Sequence, residues 1–558
     1  MGAAVVNTEL IEQVTIVGGG TAGWLTAAFL NAKLNTAAAG RRVEVVLIES
    51  PTVPIIGVGE GTLPTMVGIL REIGIDERDF FRECDASFKF GVRFEGWNLN
   101  EHGIPYSFIH PFGAFARDVD GIMPIYHFLA FGAQPGRARY DVGDNLTAGT
   151  ELIRLHRAPR TTSGDSFTHI EPARYGYHVD AQKLAAFVRD FAVARGVTHI
   201  IDDVDDATID ESGHITELKL RRYGARSVEL VVDCTGFQSR LIGKSLGEPF
   251  LPYDQQLLCD RAIPIQVPHT EGEPLQVCTS ATAMSAGWIW KVPLYSRIGT
   301  GYVYSSAFQS DEGALREICR HLGLDPEKVD PRVIRMRVGR MRRAWVGNCI
   351  AIGLSGGFIE PLEATAIQTI TIAANQLVKN FPGKPIPQAL ADRFNRRMEA
   401  CYEMVRDFIV SHYYASNRTE PFWQAARSPC VLSDSLKQNL ELWRHRLPES
   451  DDLPTTLLFS AESFGICLAS KGYFNGLELA RRAAPPRDSW ATYGQHIERQ
   501  RAAVRNMPPA RQLLAQLRGE IEEEKRPAGQ PVTGHESRGL LAGQELASKT
   551  LLARSRIT

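Results

Sequence analysis

Apolar and polar residues near the amino terminus follow a pattern that predicts a strand, a helix and a second strand. Val14–Val17 is a short, mostly apolar run, Ala22–Leu34 is predicted to be helical, and Val43–Ile48 is again strand-like. A glycine-rich turn separates the first strand from the helix. Residues 12–49 therefore predict a βαβ unit, which is the order found in dinucleotide-binding folds.

The middle of the chain is predicted to be rich in strands, and the part after Pro387 mainly helical. Tyr177–Asp180 leads into a segment whose apolar residues have helical spacing, and strand-like segments follow it. These predicted strands are 198–201, 215–220 and 228–232. Residues 250–305 are again strand-rich, and the helical run after Pro387 is long.

The segment Gly287–Pro293 combines the alternation of a strand with two tryptophans placed one residue apart. Residues i and i+2 of a strand share a face, so Trp288 and Trp290 are predicted to project together. A half-buried strand with a large apolar surface explains this pattern without any function. A role as the wall of a cavity needs support from other motifs.

Composition excludes several kinds of partner. The 558 residues include 62 Lys and Arg against 64 Asp and Glu, which argues against nucleic acid or a membrane surface because both are anionic. Nine scattered cysteines without a CxxC pair favour reduced thiols over a disulfide framework or a zinc site. The sequence shows neither a signal-like amino terminus nor 18 uninterrupted apolar residues. We therefore expect a cytoplasmic protein without a membrane or nucleic-acid partner.

The glycine turn at residues 18–23 matches the GxGxxG fingerprint between a strand and a helix. Gly18 permits the tight turn, Gly20 lets a pyrophosphate approach the backbone, and Gly23 lets the helix pack against the strand. Glu49, at the end of the second strand, is placed to accept both hydroxyls of an unphosphorylated ribose. The predicted cofactor contacts in this unit are Gly18, Gly20, Thr21, Ala22, Gly23 and Glu49. FAD and NAD both remain candidates at this point.

Two further strand-and-turn segments favour FAD. Val231–Gly236 contains Asp233 at a strand end, and Gly347–Gly353 is a strand followed by further glycines. Comparable segments contact the pyrophosphate, ribitol and isoalloxazine in flavoproteins that resemble p-hydroxybenzoate hydroxylase, which implies cofactor contacts for Asp233 and Gly353. The sequence has no second GxGxxG for a nicotinamide cofactor, so stable NAD(P)H binding is not expected.

Five motifs in order resemble the flavin-dependent halogenases of the tryptophan halogenase type. They are GGGTAGW at 18–24, GVGEGT at 57–62, HPFG at 110–113, GWIWKVP at 287–293 and GFIEPLEATAI at 357–367. Trp288, Trp290 and Pro293 meet the family's WxWxIP signature, with Val292 in place of isoleucine. The resemblance runs from about residue 12 to about residue 515. It implies an α/β (α+β) fold of the p-hydroxybenzoate hydroxylase type, with a Rossmann-like FAD-binding part.

The resemblance also implies the catalytic residues. Lys89 matches the family's catalytic lysine and Glu363 its active-site glutamate. A desolvated lysine can polarise hypohalous acid as an ammonium or be halogenated as a neutral amine, and the sequence leaves both open. A carboxylate can stabilise a cationic ring and accept its proton. Halide is expected on the backbone N–H groups of Thr365 and Ala366, at a helix start.

Other residues of the same motifs are implied to line the site. The substrate-lining residues are His110, Phe112, Trp288 and Trp290, and the further cofactor contacts are Gly59 and Ile367. In the implied reaction FADH2, supplied by a separate NAD(P)H flavin reductase, reacts with O2 and chloride or bromide to give hypohalous acid. This oxidant passes to Lys89 and halogenates an indole or another electron-rich aromatic.

The resemblance also implies a division of the chain. Residues 1–385 form the FAD-binding and halogenation module, discontinuous, with a β-rich substrate layer at about 85–175 and 250–305. Residues 386–519 form a helical part that completes the substrate site, and 520–558 form a flexible tail. A homodimer is one assembly that the resemblance implies.

The chain departs from the family pattern in three places. Gly61 and Ala364 stand where the family commonly reads GEAT and EST, and residues 448–475 do not match the aromatic-rich insertion that clamps free tryptophan. The native substrate is therefore open among indole, a derivatised or carrier-bound aromatic, and something larger. Two alternative functions are an FAD-dependent aromatic hydroxylase on the same fold and a non-catalytic flavin-binding or scaffolding protein.

Overall fold

In this computed structural model the described residues are 9–37, 40, 42–53, 58–113, 122–132, 142–143, 146–160, 174–330, 332–474 and 487–521. Gly57 and nearly all of the predicted tail lie outside them, as do parts of the predicted layer at about 85–175. The described residues up to Glu520 belong to one compact unit. None of the described helices is long and apolar enough to cross a lipid bilayer.

Strands are numbered in chain order among the described residues. They are β1 Glu9–Leu10, β2 Gln13–Val17, β3 Glu44–Glu49, β4 Gly59–Gly61, β5 Ser87–Lys89, β6 Gly91–Leu99, β7 Pro105–Pro111, β8 Gly176–Asp180, β9 Thr198–Ile201, β10 Val204–Ile209, β11 Ile215–Leu220, β12 Gly224–Ser227, β13 Leu230–Asp233, β14 Phe250–Pro252, β15 Arg261–Pro268, β16 Thr279–Met284, β17 Gly287–Pro293, β18 Arg297–Tyr304, β19 Ile334–Arg335, β20 Gly339–Met341, β21 Trp345–Val346, β22 Cys349–Ala351, β23 Gly357–Phe358 and β24 Gly383–Lys384.

The α-helices of the same residues are numbered likewise. They are α1 Thr21–Leu34, α2 Thr65–Ile73, α3 Glu77–Glu83, α4 Pro124–His127, α5 Ala148–Leu155, α6 Ala181–Val193, α7 Asp311–Leu322, α8 Ala366–Lys379, α9 Gln388–Tyr414, α10 Pro421–Ala426, α11 Asp434–Leu442, α12 Ala461–Ser470, α13 Arg487–Arg505 and α14 Ala510–Leu517.

The predicted nucleotide-binding unit is part of a larger sheet. Six of the described strands lie in the order β21-β22-β13-β2-β3-β9, and all neighbours are parallel except β21, which pairs antiparallel at one edge. β2, α1 and β3 confirm the predicted βαβ unit, with bounds within one residue of those expected. α1 lies over this sheet between α6 and α8. The carboxyl ends of β2, β3 and β13 therefore share one edge, where parallel α/β sheets bind ligands.

A second sheet carries the two tryptophans. It has the order β19-β15-β18-β17-β16-β6-β7, and β17 confirms the predicted strand Gly287–Pro293 with both bounds. Trp290 lies opposite Gly301 of β18, where a Cβ atom would collide with the indole ring. Glycine at 301 is therefore the residue that makes room for Trp290.

A small third sheet brings distant segments of the sequence together. β8 pairs with β4 on one side and with β5 on the other, so that Gly59–Gly61 and Ser87–Lys89 become neighbours. After Pro387, which precedes α9, the described residues are mainly helical, as predicted. α9 and α12 pack against each other, and α12 also contacts β7. The helical part therefore covers the end of β7 that carries His110.

Candidate active site

A cavity of about 530 Å³ lies at the carboxyl edge of the nucleotide-binding sheet. It extends from Gly18–Ala22 and Glu49 past Cys234–Gly236 to the start of α8. Of the residues predicted to contact a cofactor, those that line the cavity are Gly18, Gly20, Thr21, Ala22, Glu49, Gly59 and Gly353. The structure thus brings both halves of the predicted cofactor site together around one space.

The glycine turn fits a pyrophosphate. Gly18 has a φ of 120°, and a Cβ atom there would collide with the carbonyl oxygen of Cys234. A Cβ atom on Gly20 would meet no atom within 4 Å, so open space lies directly in front of this backbone. α1 has no side-chain cap, so its first N–H groups are left for a ligand. Backbone donors and the helix dipole both favour an anion here.

Glu49 fits the ribose of the same cofactor. Its carboxylate lies against Gly19, where a Cβ atom would overlap it, and its Oε2 is 2.9 Å from Nε2 of His199. The His199 ring packs edge-on against Trp24, with the ring centroids 4.8 Å apart. The carboxylate is therefore held at the cavity wall between the Gly19 backbone and the His199 ring. These observations fit FAD, whose ribose hydroxyls need an acceptor at this position.

Three predicted cofactor residues lie behind the cavity wall. Gly23 packs so closely on Gly18 that a Cβ atom would collide with its carbonyl oxygen. The buried carboxylate of Asp233 accepts hydrogen bonds from Thr235 and from the backbone N–H groups of Leu241 and Ile242, which fixes the turn after β13. Ile367 is buried inside α8. Gly23, Asp233 and Ile367 are absent from the lining of the described cavity, and each supports its wall from behind.

The far end of the cavity contains the predicted halide residues. Thr365 and Ala366 line it, and α8 begins there without a side-chain cap. Trp290 also lines the cavity. Trp288 is absent from the lining of the described cavity, and its Nε1 donates to Oε2 of Glu360 at 2.8 Å. The two indole rings are nevertheless in contact, with centroids 6.4 Å apart.

Lys89 ends β5 with no exposed surface. Within the described part of the chain its Nζ has no hydrogen-bond partner, and it lies 4.8 Å from the centre of the Phe112 ring. Burial lowers the pKa of Lys89 from 10.5 to about 8, although the charge of Glu363 opposes this shift. An amine in this state is present at neutral pH in both protonation forms.

Gly61 and Ala364 lie between Lys89 and the cavity. Both residues line the cavity, whereas Lys89 does not. A Cβ atom on Gly61 would be 3.0 Å from the Lys89 Nζ and 3.1 Å from the Cβ of Ala364. Gly61 and Ala364, two of the three departures from the family pattern, are therefore neighbours, and together they form the contact through which the cavity meets Lys89.

Glu363 is fully buried beside Lys89 and between two histidines. Its Oε1 is 2.9 Å from Nδ1 of His110 and 3.3 Å from Nε2 of His412. Burial alone would raise the pKa of Glu363, but the hydrogen bond and charge of His110, aided by His412, lower it to about 2. Burial lowers the pKa of His412 to about 4. The carboxylate is therefore ionised throughout the neutral range.

Sequence reasoning missed several buried residues around this centre. His412 of α9 and Cys467 of α12 face Glu363, and Glu360 accepts hydrogen bonds from Trp288 and Tyr413. Burial raises the pKa of Glu360 to about 7. Glu360 carries a sequence signal, because it stands in the same motif as Glu363. His412 and Cys467 carry none, since each follows an ordinary apolar helical run.

Comparison with known proteins gives the family. The family model for tryptophan halogenase matches residues 13–482. Tryptophan 6-halogenase ThaL of Streptomyces albogriseolus is 39% identical over 460 residues, which cover 80% of this chain and 84% of that protein.

Two solved structures have the same fold. A tryptophan halogenase from Shewanella frigidimarina NCIMB 400 superimposes with a TM-score of 0.83 at 35% identity, over 91% of this chain and 98% of that one. BrvH, a flavin-dependent halogenase from Brevundimonas sp. BAL3, gives a TM-score of 0.79 at 32% identity, over 91% and 99%. The expected p-hydroxybenzoate hydroxylase type of fold is confirmed, and the hydroxylase alternative is not favoured. The chain therefore belongs to the tryptophan halogenase family, whose members are flavin-dependent halogenases.

Proposed function

We propose that this halogenase transfers chloride or bromide, as hypohalous acid, from the cavity to an indole-type substrate held beside Lys89 and Glu363. The carrying observation is the buried amine of Lys89, which has no hydrogen-bond partner among the described residues. It lies next to an ionised carboxylate and meets the cavity through Gly61 and Ala364. This arrangement separates the place where an oxidant is made from the place where it is used.

The cavity residues described above would hold FAD. Reduced FAD, supplied by a separate reductase, would provide two electrons and two protons, with which O2, halide and one further proton would give hypohalous acid and water. The uncapped start of α8 supports halide binding, because the N–H groups of Thr365 and Ala366 lie at the cavity wall. Trp290 lines the cavity, and the neighbouring Trp288 indole is held by its hydrogen bond to Glu360. We infer that this pair keeps an aromatic substrate away from the flavin.

Lys89 acts as the donor that positions and polarises the hypohalous acid. With a pKa of about 8, about nine tenths of its side chains are ammonium at pH 7. The ammonium has no partner among the described residues, so its N–H groups are free to bind the oxygen of the oxidant. Donation to that oxygen makes the halogen more electrophilic. As the carbon–halogen bond forms, the oxygen–halogen bond breaks, and the hydroxide takes a proton from the Lys89 ammonium and leaves as water.

Glu363 completes the substitution. A ring carbon that has gained halogen carries positive charge and an extra proton, and an ionised carboxylate both stabilises that charge and accepts the proton. His110 holds the carboxylate by a hydrogen bond of 2.9 Å. The pKa of about 2 keeps Glu363 ready as a base across the neutral range.

The substrate side is built partly by the helical part, residues 386–519. His412 from α9 and Cys467 from α12 reach the same carboxylate, which supports the proposed role of this part in completing the site. The names of ThaL and of the Shewanella structure point to tryptophan as the substrate of those proteins. We propose an indole ring for this chain and leave the group attached to it open, because residues 448–475 lack the expected aromatic clamp.

The test is the identity of the product. Purified protein is supplied with FAD, a flavin reductase and NADH, bromide and a panel of free and derivatised indoles, and the products are analysed by mass spectrometry. We expect brominated indole without added oxygen, and omission of bromide should abolish product. Hydroxylated product that forms without halide would contradict the proposal and favour a monooxygenase.

A further inference from the structure

Three potential metal ligands converge at Glu363, and a fourth, His412, lies against the same carboxylate. One donor atom each from His110, Glu363 and Cys467 lies within 4.8 Å of the other two, and all three residues are buried. Nε2 of His412 lies 3.3 Å from Oε1 of the same carboxylate. The donors come from β7, the segment before α8, α9 and α12, so elements distant in sequence meet at one carboxylate.

These donors have unused capacity. Oε2 of Glu363 and Nδ1 of His412 have no hydrogen-bond partner among the described residues, although both are buried, and Nε2 of His412 has only its 3.3 Å contact with Oε1. The His412 ring is held in place by stacking on Phe94, with centroids 4.5 Å apart, and by an edge-on contact with Phe408 at 4.9 Å. Buried polar atoms are normally paired, so a metal ion bound by these nitrogen and oxygen atoms would stabilise the cluster.

We propose that His110, Glu363, His412 and Cys467 form a binding site for one zinc ion. Two imidazoles, a carboxylate and a thiolate are all ligands that Zn²⁺ accepts in tetrahedral geometry. In such a site neighbouring donor atoms are about 3.3–3.6 Å apart. The donor atoms of His110, Glu363 and Cys467, which lie within 4.8 Å of one another, must therefore approach by about 1 Å. Binding releases the thiol proton of Cys467, and the thiolate and carboxylate then balance the charge of the ion.

Occupancy of this site would inhibit the enzyme. This consequence rests on the proposed function, in which Glu363 must be free to accept the ring proton. A zinc ion on the carboxylate removes that base and also holds His110, so inhibition should be reversed by a chelator. Zinc binding itself does not depend on any step of halogenation.

Equilibrium dialysis of the FAD-loaded full-length protein against ZnCl2, without halide or substrate, tests the site. Wild type is expected to retain one zinc per chain. Cys467→Ser removes the thiolate, and His412→Phe removes the imidazole while keeping a ring between Phe94 and Phe408. Each should raise the Kd for zinc by about tenfold or more. Cys430→Ser changes an exposed cysteine and should leave the Kd unchanged.

A spectroscopic probe identifies the ligand. Cobalt(II) in place of zinc should show a thiolate-to-cobalt charge-transfer band that is present in wild type and in Cys430→Ser and lost in Cys467→Ser. The proposal is overturned if wild type retains no zinc. It is also overturned if Cys467→Ser and His412→Phe bind zinc as tightly as wild type does. Failure of halogenation would leave this outcome unchanged, because the assay contains no turnover.

Discussion

Lys89 should reduce the stability of the fold that contains it. Its side chain has no exposed surface, and burial lowers its pKa from 10.5 to about 8. The unfolded chain therefore binds this proton more tightly than the folded chain. This difference in pKa between the folded and the unfolded chain lowers the free energy of unfolding by about 3 kcal/mol. The loss is present in full below about pH 8 and has disappeared once the pH reaches about 10.5.

Lys89→Met removes this cost. Methionine is unbranched and apolar and has a similar length, so it can fill the space beside Phe112 without a charge. We expect the free energy of unfolding to increase by about 3 kcal/mol at pH 7 and the gain to shrink towards zero near pH 10.5. Halogenation should be lost in the same variant.

The assay is urea denaturation of flavin-free protein, followed by tryptophan fluorescence at pH 7 and pH 10. Flavin-free protein is used because bound cofactor would add its own stabilisation. Lys437→Met is the matched control, since Lys437 is exposed on α11 and its replacement should change stability by less than about 0.5 kcal/mol. If Lys89→Met is no more stable than wild type at pH 7, the argument from burial is refuted.

Three further predictions concern turnover and packing. The rate of halogenation should fall as the pH rises through about 8, because the Lys89 ammonium loses its proton there. The same midpoint with chloride and with bromide would assign this titration to the protein. A rate that rises through about pH 8 would instead indicate that the neutral amine is the active form. Glu363→Gln should lower kcat by about 10²–10³-fold and leave the affinity for FAD unchanged. Steady-state kinetics and flavin titration measure the two quantities. An undiminished kcat would exclude Glu363 as the base. Gly301→Ala places a Cβ atom against the Trp290 ring and should reduce the free energy of unfolding by about 1–3 kcal/mol in urea denaturation. Gly68→Ala is the control, because its Cβ atom meets nothing within 4 Å, and it should not reduce the free energy of unfolding.

Local pattern was sufficient for much of the fold. The strands Thr198–Ile201, Ile215–Leu220 and Gly287–Pro293 have the predicted bounds, because alternation and flanking turn residues are properties of short segments. The glycine fingerprint likewise lies at one end of the cavity. Gly18 and Gly23 are required by close contacts with the backbone of Cys234 and of Gly18, and Gly20 faces open space.

The site around Glu363 was only partly predictable. Lys89 and Glu363 were found through a family resemblance, whereas nothing near His412 or Cys467 in the sequence indicates that they face the same carboxylate. His110 and Glu363 are 253 residues apart and meet only through tertiary packing. Asp233 shows the opposite case. The sequence predicts a cofactor contact for this residue, whereas in the structure its carboxylate accepts hydrogen bonds that hold the turn beside the cavity.

The central claim is that the oxidant is made in the cavity and used at Lys89. The direct measurement follows NADH consumption and brominated indole together, with reductase, FAD and bromide, for wild type, Lys89→Met and Lys437→Met. We predict that Lys89→Met still consumes reduced flavin but forms less than about one hundredth of the wild-type product. This corresponds to a loss of about 2.7 kcal/mol in transition-state stabilisation. Lys437→Met should match wild type. Undiminished bromination by Lys89→Met would contradict the account.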